Sequence, residues 1–514
     1  MSSSDQRVHF TRGASYLVLQ TIGVNIITVA SFVIIARLIS TKEMGIWAVL
    51  QLMLAVCSTF FTWFPQAVTK FVAEYHSKGS LSTAAAVFYQ ALRANVIIYI
   101  PVIIGFYFGA SFLSFHLIGI AYPPLFQILA FDVFVSACLI QLLAGALLGL
   151  RMFREIAFVG LVVGGIFRQI LIISFLILLK NFMGLVLGWL VSDTVTAAIY
   201  LLLVVRVLGG PRFDFPLRRL LRYYLPLELG QIVAFGQTWV DRVLLVIFVS
   251  LSTLGVYNAA VTAFGVLTAV GNAMVNMLFP AYSSIREGNE LNMRNSVRLG
   301  TRYACFTLIP LAFILLATAK PAITLLVGPS YVRGSLPLSI LCFGFAITAF
   351  TTGVVPVFLA LEETSVAALV NTANVLVSAS VAYALLPVWG IVGVSVGRAL
   401  ALVVGASLVV VFARRKITLT IDFHALTKTF IAGGVTAAIL CAVQLVYYSR
   451  FMLPLYWVTG LVVYLVMLRL LKVVDVADVN LLRGFFGKRL GFITNILAWI
   501  LLPDRQLTSG EVSV

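Results

Sequence analysis

The chain has 514 residues, of which 61% are hydrophobic and 10% charged, with a mean hydropathy of +1.08. An average globular protein is about 25% charged, so the missing polar surface faces hydrocarbon, and a soluble, disordered, fibrous or disulfide-stapled chain is excluded. The charge is lopsided, 35 Lys and Arg against 18 Asp and Glu for a formal +17, and its meaning depends on where the basic residues sit.

A hydrocarbon core of about 30 Å needs roughly 20 apolar residues per helix. Breaks of charge, Pro or Gly divide the sequence into about fourteen such lengths, near 14–37, 45–68, 84–110, 123–149, 156–179, 183–206, 225–249, 255–279, 299–319, 335–360, 365–386, 389–412, 426–448 and 452–471. They show no period-two alternation, so they are helices and not barrel strands. The predicted fold class is an all-α polytopic membrane protein.

An even number of spans puts both termini on one side, and the basic residues choose the side. With the termini cytoplasmic, 26 of the 35 Lys and Arg fall inside, among them Lys70, Arg151, Arg219, Arg298 and Arg415, and six fall outside. Arg168, Arg242 and Arg398 lie within spans. Most of the excess is thus topological and requires no nucleic acid. The expected location is the cell (plasma) membrane, multi-pass. The first apolar run lacks a small-residue cleavage site, so it reads as a retained helix. The five cysteines fall in apolar spans without paired spacing, and no pair of histidines has metal-ligand spacing.

The sequence repeats itself. Ser40-Thr41 before Gly45-Ile46-Trp47 returns as Ser252-Thr253 before Gly255-Val256-Tyr257, and Phe64-Pro65 returns as Phe279-Pro280. Gln127-Ile128-Leu129 parallels Ser339-Ile340-Leu341, and Gly184-Leu185-Val186 parallels Gly390-Ile391-Val392, all at offsets of 206 to 215 residues. Six spans per copy is even, so the copies insert in the same direction. The expected organisation is an N-terminal six-helix lobe over 1–210, an amphipathic cytoplasmic linker over 211–225 and a second six-helix lobe over 226–413. Two additional transmembrane helices over 414–472 and a cytoplasmic amphipathic tail over 473–514 complete it. In the linker, Leu217, Leu220, Leu221 and Tyr224 share one helical face and Arg218, Arg219 and Arg222 another.

These residues resemble the polysaccharide and lipid-linked oligosaccharide flippases of the multidrug/oligosaccharidyl-lipid/polysaccharide (MATE-like) exporter superfamily. The resemblance covers spans one to twelve. It rests on Ala36-Arg37-Leu38 before Gly45-Ile46-Trp47, Leu225-Pro226-Leu227, Asp241-Arg242, Gly255 to Ala260, Phe279-Pro280, and Gly328 with Tyr331. It implies fourteen helices with two six-helix lobes forming a V, and transbilayer movement of an isoprenoid-linked glycan by alternating access. The implied partners are a polyprenyl phosphate- or pyrophosphate-linked glycan, membrane lipids and glycan-assembly enzymes. The same-fold alternative is a cation-coupled multidrug or small-solute exporter. Such exporters often carry a carboxylate in the first span, where this chain offers only Gln20, Asn25 and small hydroxyls.

A charge at bilayer depth costs about 2.5–3.5 kcal/mol on insertion scales, so each needs a partner or a watery cavity. The candidates are Asp132, Arg168, Asp193, Asp241, Arg242 and Arg398, with Glu228 and Arg37 nearer span ends. The planar guanidinium suits a phosphate headgroup, so Arg242, Arg398 and Arg168 are candidates for substrate binding. Arg168 has a structural alternative, pairing with Asp132 or Asp193. Asp193, Asp132 and Asp241 are candidates for ion or proton coupling, against salt-bridged structural roles. Asp241 and Arg242 point about 100° apart on a helix, so that one can face a cavity while the other fixes the helix to its neighbour. Pro65 and Pro280 are hinge candidates, against plain helix termini. No cofactor is expected beyond coupling to an H+ or Na+ gradient or the membrane potential. Apart from Glu362-Glu363 no loop carries an acidic pair, so an enzyme is disfavoured, as is a pure scaffold.

Overall fold

The computed structural model describes residues 3–285, 290–416 and 423–473. The expected tail over 473–514 lies outside the described residues beyond Val473. Among the described residues there is no strand, and fourteen segments are long and apolar enough to cross a membrane. In chain order the helices are α1 (Ser3–Leu38), α2 (Thr41–Phe60), α3 (Pro65–Ser77), α4 (Leu81–Phe108), α5 (Ala110–Ile118), α6 (Pro123–Val133), α7 (Gln141–Gly149) and α8 (Phe153–Leu161). There follow α9 (Arg168–Leu179), α10 (Met183–Leu208), α11 (Leu217–Phe248), α12 (Leu251–Ile285), α13 (Glu290–Ala317) and α14 (Ala319–Leu326). The last six are α15 (Ser335–Thr348), α16 (Thr351–Ala360), α17 (Thr364–Trp389), α18 (Ile391–Lys416), α19 (Phe423–Val446) and α20 (Leu453–Leu470). Two compact units divide the chain, Met1–Asn258 and Ala259–Val514.

In hydrocarbon the lipid is as apolar as leucine, so helices associate by close packing of small residues and by buried hydrogen bonds. Gly184 and Gly188 lie one turn apart on α10 and admit α9. A Cβ at Gly184 would stand 2.4 Å from the Phe175 carbonyl oxygen, and one at Gly188 2.7 Å from Ile172 Cα. In the second unit Gly393 and Gly397 of α18 admit α17 in the same way, with a Cβ at Gly393 2.6 Å from the Leu385 oxygen and one at Gly397 2.7 Å from Ala382 N.

The two copies of the Ser-Thr-to-Gly motif meet. Gly45 of α2 lies against the Leu251 carbonyl and Gly255 of α12 against the Thr41 carbonyl, where an added Cβ would stand 1.9 and 2.0 Å away. The Thr41 and Ser252 hydroxyls, one from each copy, bond at 2.7 Å. The start of α2 is fixed by a capping box, Ser40 Oγ accepting from Glu43 N–H and the Glu43 carboxylate accepting from Ser40 N–H.

Three expected elements differ in detail. The second span does not run unbroken to 68: the helix stops at Phe60, and α3 resumes at Pro65 after Phe64 adopts a left-handed φ of 78°. The groups freed there find buried partners. Trp63 N–H donates to Asn95 Oδ1 at 2.9 Å, Asn95 donates to the Cys138 carbonyl, Tyr99 donates to the Cys57 carbonyl, and Tyr224 donates to the Thr62 carbonyl. The tenth span, expected over 335–360, is interrupted between α15 and α16. The basic stretch of the expected linker is the opening of α11 itself, with Leu220 and Tyr224 buried and Arg218, Arg219 and Arg222 exposed. Arg219 is held there by the rings of Phe71, Tyr75 and Phe215 and by a 2.8 Å bond to the Tyr75 hydroxyl.

Candidate functional site

The structure brings three of the singled-out charges together inside the first unit. Asp132 sits at the end of α6, Arg168 opens α9, and Asp193 lies midway along α10, where the Gly184 and Gly188 contacts draw α9 and α10 close. An Arg168 guanidinium nitrogen stands 3.5 Å from Asp193 Oδ2. The same guanidinium lies 5.5 Å from the ring centre of Trp189, one turn before Asp193, and Trp189 contacts Trp47 at 6.0 Å between centroids. A cation over indole faces is stabilised by the ring quadrupole. Asp132 is fully buried, within electrostatic reach of Asp193 and Arg168. Neither of its carboxylate oxygens has a hydrogen-bond partner.

Two stretches of π-helix frame this cluster. Phe134–Ile140 begins two residues after Asp132, and Val162–Phe167 ends immediately before Arg168. The i→i+5 pattern widens the helix and leaves backbone groups open to other partners, and such bulges recur at functional sites. Here Ser192, next to Asp193, donates to the Val163 carbonyl at 3.2 Å.

Asp241 and Arg242 form a separate constellation on α11, both buried. The Asp241 carboxylate accepts from the Tyr257 hydroxyl at 2.7 Å and from the Arg242 backbone N–H at 2.8 Å, which ties α11 to the start of α12. The Arg242 guanidinium lies 4.5 Å from the Trp239 ring centre. In the second unit Arg398 follows Gly397 on α18, half-buried, 5.9 Å from the Phe264 ring centre. Pro65 stands at the helix break, whereas Pro280 lies within the continuous α12.

Among the described residues no group of three His, Cys, Asp or Glu side chains is placed to hold a metal ion. The supports of these charges are aromatic and polar: Trp47 and Tyr257 are known from the sequence only as members of the repeated motif, and Trp189 and Trp239 beside the charges and Asn95 and Tyr99 at the break are not singled out by it. For Trp189 and Asp193, and for Trp239 and Arg242, spacings of four and three residues on one helix are the signal that finds them.

Among the described residues, fourteen helices long and apolar enough to span a membrane, with buried and half-buried charges inside them, define a polytopic membrane protein of the transporter type. Residues 34–335, more than half of the chain, match the family described as polysaccharide biosynthesis protein, and the chain belongs to that family. The probable flippase AglR of Haloferax volcanii is 23% identical over 220 residues, which is 41% of this chain and 45% of that protein, so the match spans less than half of that relative. Among solved structures, the lipid II flippase MurJ in an inward closed conformation superposes with a TM-score of 0.69 at 14% identity, over 88% of this chain and 98% of that one. An inward-facing multidrug-resistance MATE family transporter of the MOP superfamily gives 0.61 at 16% identity, over 78% and 95%. At these identities the two structures establish a shared fold.

Proposed function

We propose that this protein exports a lipid-linked oligosaccharide or polysaccharide precursor across the bilayer by alternating access, for surface glycan or glycoprotein assembly. The observation that carries the reading is family membership over residues 34–335 on a fourteen-span fold. The headgroup is a polyprenyl phosphate or pyrophosphate bearing the glycan, and guanidinium groups within the spans supply the complementary charge. Arg242, stacked on Trp239, and Arg168 and Arg398, each half-buried within its own unit, are the residues proposed for contact with the substrate. The hinges proposed for the movement are Pro65, at the break between α2 and α3, and Pro280, whose ring removes a helical hydrogen bond from α12. The protein lies in the plasma membrane with both termini cytoplasmic. It makes no covalent change to its cargo, works beside glycan-assembly enzymes, and draws on an H+ or Na+ gradient or the membrane potential.

In a strain lacking the protein, lipid-linked precursor accumulates on the cytoplasmic leaflet and surface glycan is lost. Arg398→Ala and Arg242→Ala, expressed and inserted like the unaltered protein, fail to restore it; normal surface glycan with both changes removes the roles assigned here. The second reading, a cation-coupled multidrug or small-solute exporter, draws on the likeness to the MATE fold. It expects drug sensitivity on deletion with surface glycan intact.

A further inference from the structure

The cluster of Asp132, Asp193 and Arg168 has two carboxyl groups and one guanidinium, all within spanning helices. Arg168 is engaged with Asp193. Asp132 is 0% exposed, and no donor reaches either oxygen. A bare carboxylate without donors is the costliest state such a group can take in a low-dielectric interior, whereas a neutral carboxylic acid is tolerated. Among the described residues the charged groups acting on Asp132 are Asp193 of α10 and Arg168 of α9. Among the other titratable groups on the segments packed against α6, Tyr89 of α4 bonds the Gly209 carbonyl, Arg93 lies over the Phe213 ring, Tyr99 bonds the Cys57 carbonyl of α2 and Tyr107 packs on the Phe108 and Phe131 rings. Glu43 of α2 accepts from Ser40, Cys138 meets the Asn95 amide, His116 of α5 stacks on Phe112 and Tyr200 of α10 meets the Ile156 carbonyl, while Lys42 and Arg206 are exposed at the ends of α2 and α10. With one positive charge for two acids, electroneutrality requires one further positive charge.

The exposures of the three differ in a way that matters. The Asp193 side chain is 6% exposed and that of Arg168 28%, so the guanidinium is the member an approaching ligand reaches. An anionic phosphate and Asp193 therefore compete for one planar fork.

We propose that Asp132, Asp193 and Arg168 form a proton-binding site that an anionic lipid headgroup reads through Arg168. In the state described, one proton resides on Asp132 and Arg168 neutralises Asp193. When a phosphate takes Arg168, Asp193 loses its counter-charge and takes up a second proton from water, which is given back when the phosphate leaves. The linkage to a headgroup rests on the function proposed above; the resident proton does not.

Two readouts keep these apart. Infrared spectra of the full-length protein in nanodiscs, recorded across a pH titration, carry the carbonyl stretch of one buried protonated carboxyl group. Asp132→Asn and Asp193→Asn each leave one acid opposite Arg168 and each abolish that band, so either variant serves should the other fail to fold. Arg168→Gln leaves two acids without a cation and doubles it. A band that survives in Asp132→Asn or Asp193→Asn, or its absence from the unaltered protein, overturns the proposal. In the second readout, unglycosylated polyprenyl pyrophosphate is added to the protein in weak buffer with a pH dye. One proton is taken up per lipid bound, and none in Arg168→Gln. Binding without proton uptake overturns the linkage, and no binding at all overturns the lipid-linked substrate instead, while the infrared band stands or falls separately.

Discussion

Gly45→Ala and Gly255→Ala test the packing of the repeated motif on itself. The new methyl carbon would stand 1.9 Å from the Leu251 carbonyl oxygen in the first case and 2.0 Å from the Thr41 oxygen in the second. Carbon–oxygen contacts in proteins settle at about 3.3 Å, so α2 and the start of α12 must part by about 1.4 Å. The obstructing atoms are backbone and cannot rotate aside, so the cost falls at the upper end of the usual 1–3 kcal/mol for overpacking, about 3 kcal/mol for each change. Parting also stretches the 2.7 Å bond between Thr41 and Ser252. Because the gap opened by the first methyl receives part of the second, the double variant costs less than the sum of the singles, with a coupling of about 1–3 kcal/mol. A thiol-reactive fluorophore follows unfolding, since Cys57, Cys138, Cys305 and Cys342 are buried, and Cys441→Ser removes the exposed background. Both single variants melt below the reference protein, and the double variant melts little lower than the worse single. Reference-like melting of the singles, or a double that shows the full sum, refutes the reciprocal contact.

Asn95→Ala leaves the Trp63 N–H at the helix break without its acceptor, at a cost of about 1–3 kcal/mol in the same melting assay; an unchanged transition shows that the break does not depend on Asn95. Tyr257→Phe removes the donor to Asp241 and destabilises by about 1.5–3 kcal/mol, the worth of a bond to a charged group. If it melts like the reference, Asp241 does not hold α11 to α12. Arg398→Lys keeps a charge but loses the planar fork, so it folds normally and restores transport only in part, measured as surface glycan in the deletion strain. Full restoration shows that charge alone suffices at this position.

The spans were readable because their cause is local: a helix of about 20 apolar residues is the only way to carry a peptide backbone through hydrocarbon. The expected 183–206 corresponds to Met183–Leu208, and the expected 365–386 to Thr364–Trp389. The break at Phe61–Phe64 was readable only in part: Pro65 marks a hinge or a helix terminus, but the apolar run continues through it and gives no reason to end the span at Phe60. What sustains it are Asn95, Tyr99 and Tyr224, distant in sequence and brought there by packing. The two π-helical stretches carry no Pro or charge within them to announce the change of pitch. Of the site, the charged residues were readable because such residues are rare in spans. Their grouping was readable only as an alternative, Arg168 pairing with Asp132 or Asp193: the three are separated by tens of residues, and it takes the approach of α9 to α10 at Gly184 and Gly188, with α6 packed on α10, to make them neighbours.

The most direct test of the account is transport by the purified protein in liposomes. A fluorescent oligosaccharide linked to polyprenyl pyrophosphate is placed in the inner leaflet, and its appearance outside is followed by binding of an added lectin. Lectin binding is expected to grow with time in liposomes containing the protein, at a rate far above protein-free liposomes and much reduced by Arg398→Ala. Equal rates with and without the protein, under an H+ gradient, a Na+ gradient and an imposed potential alike, contradict it.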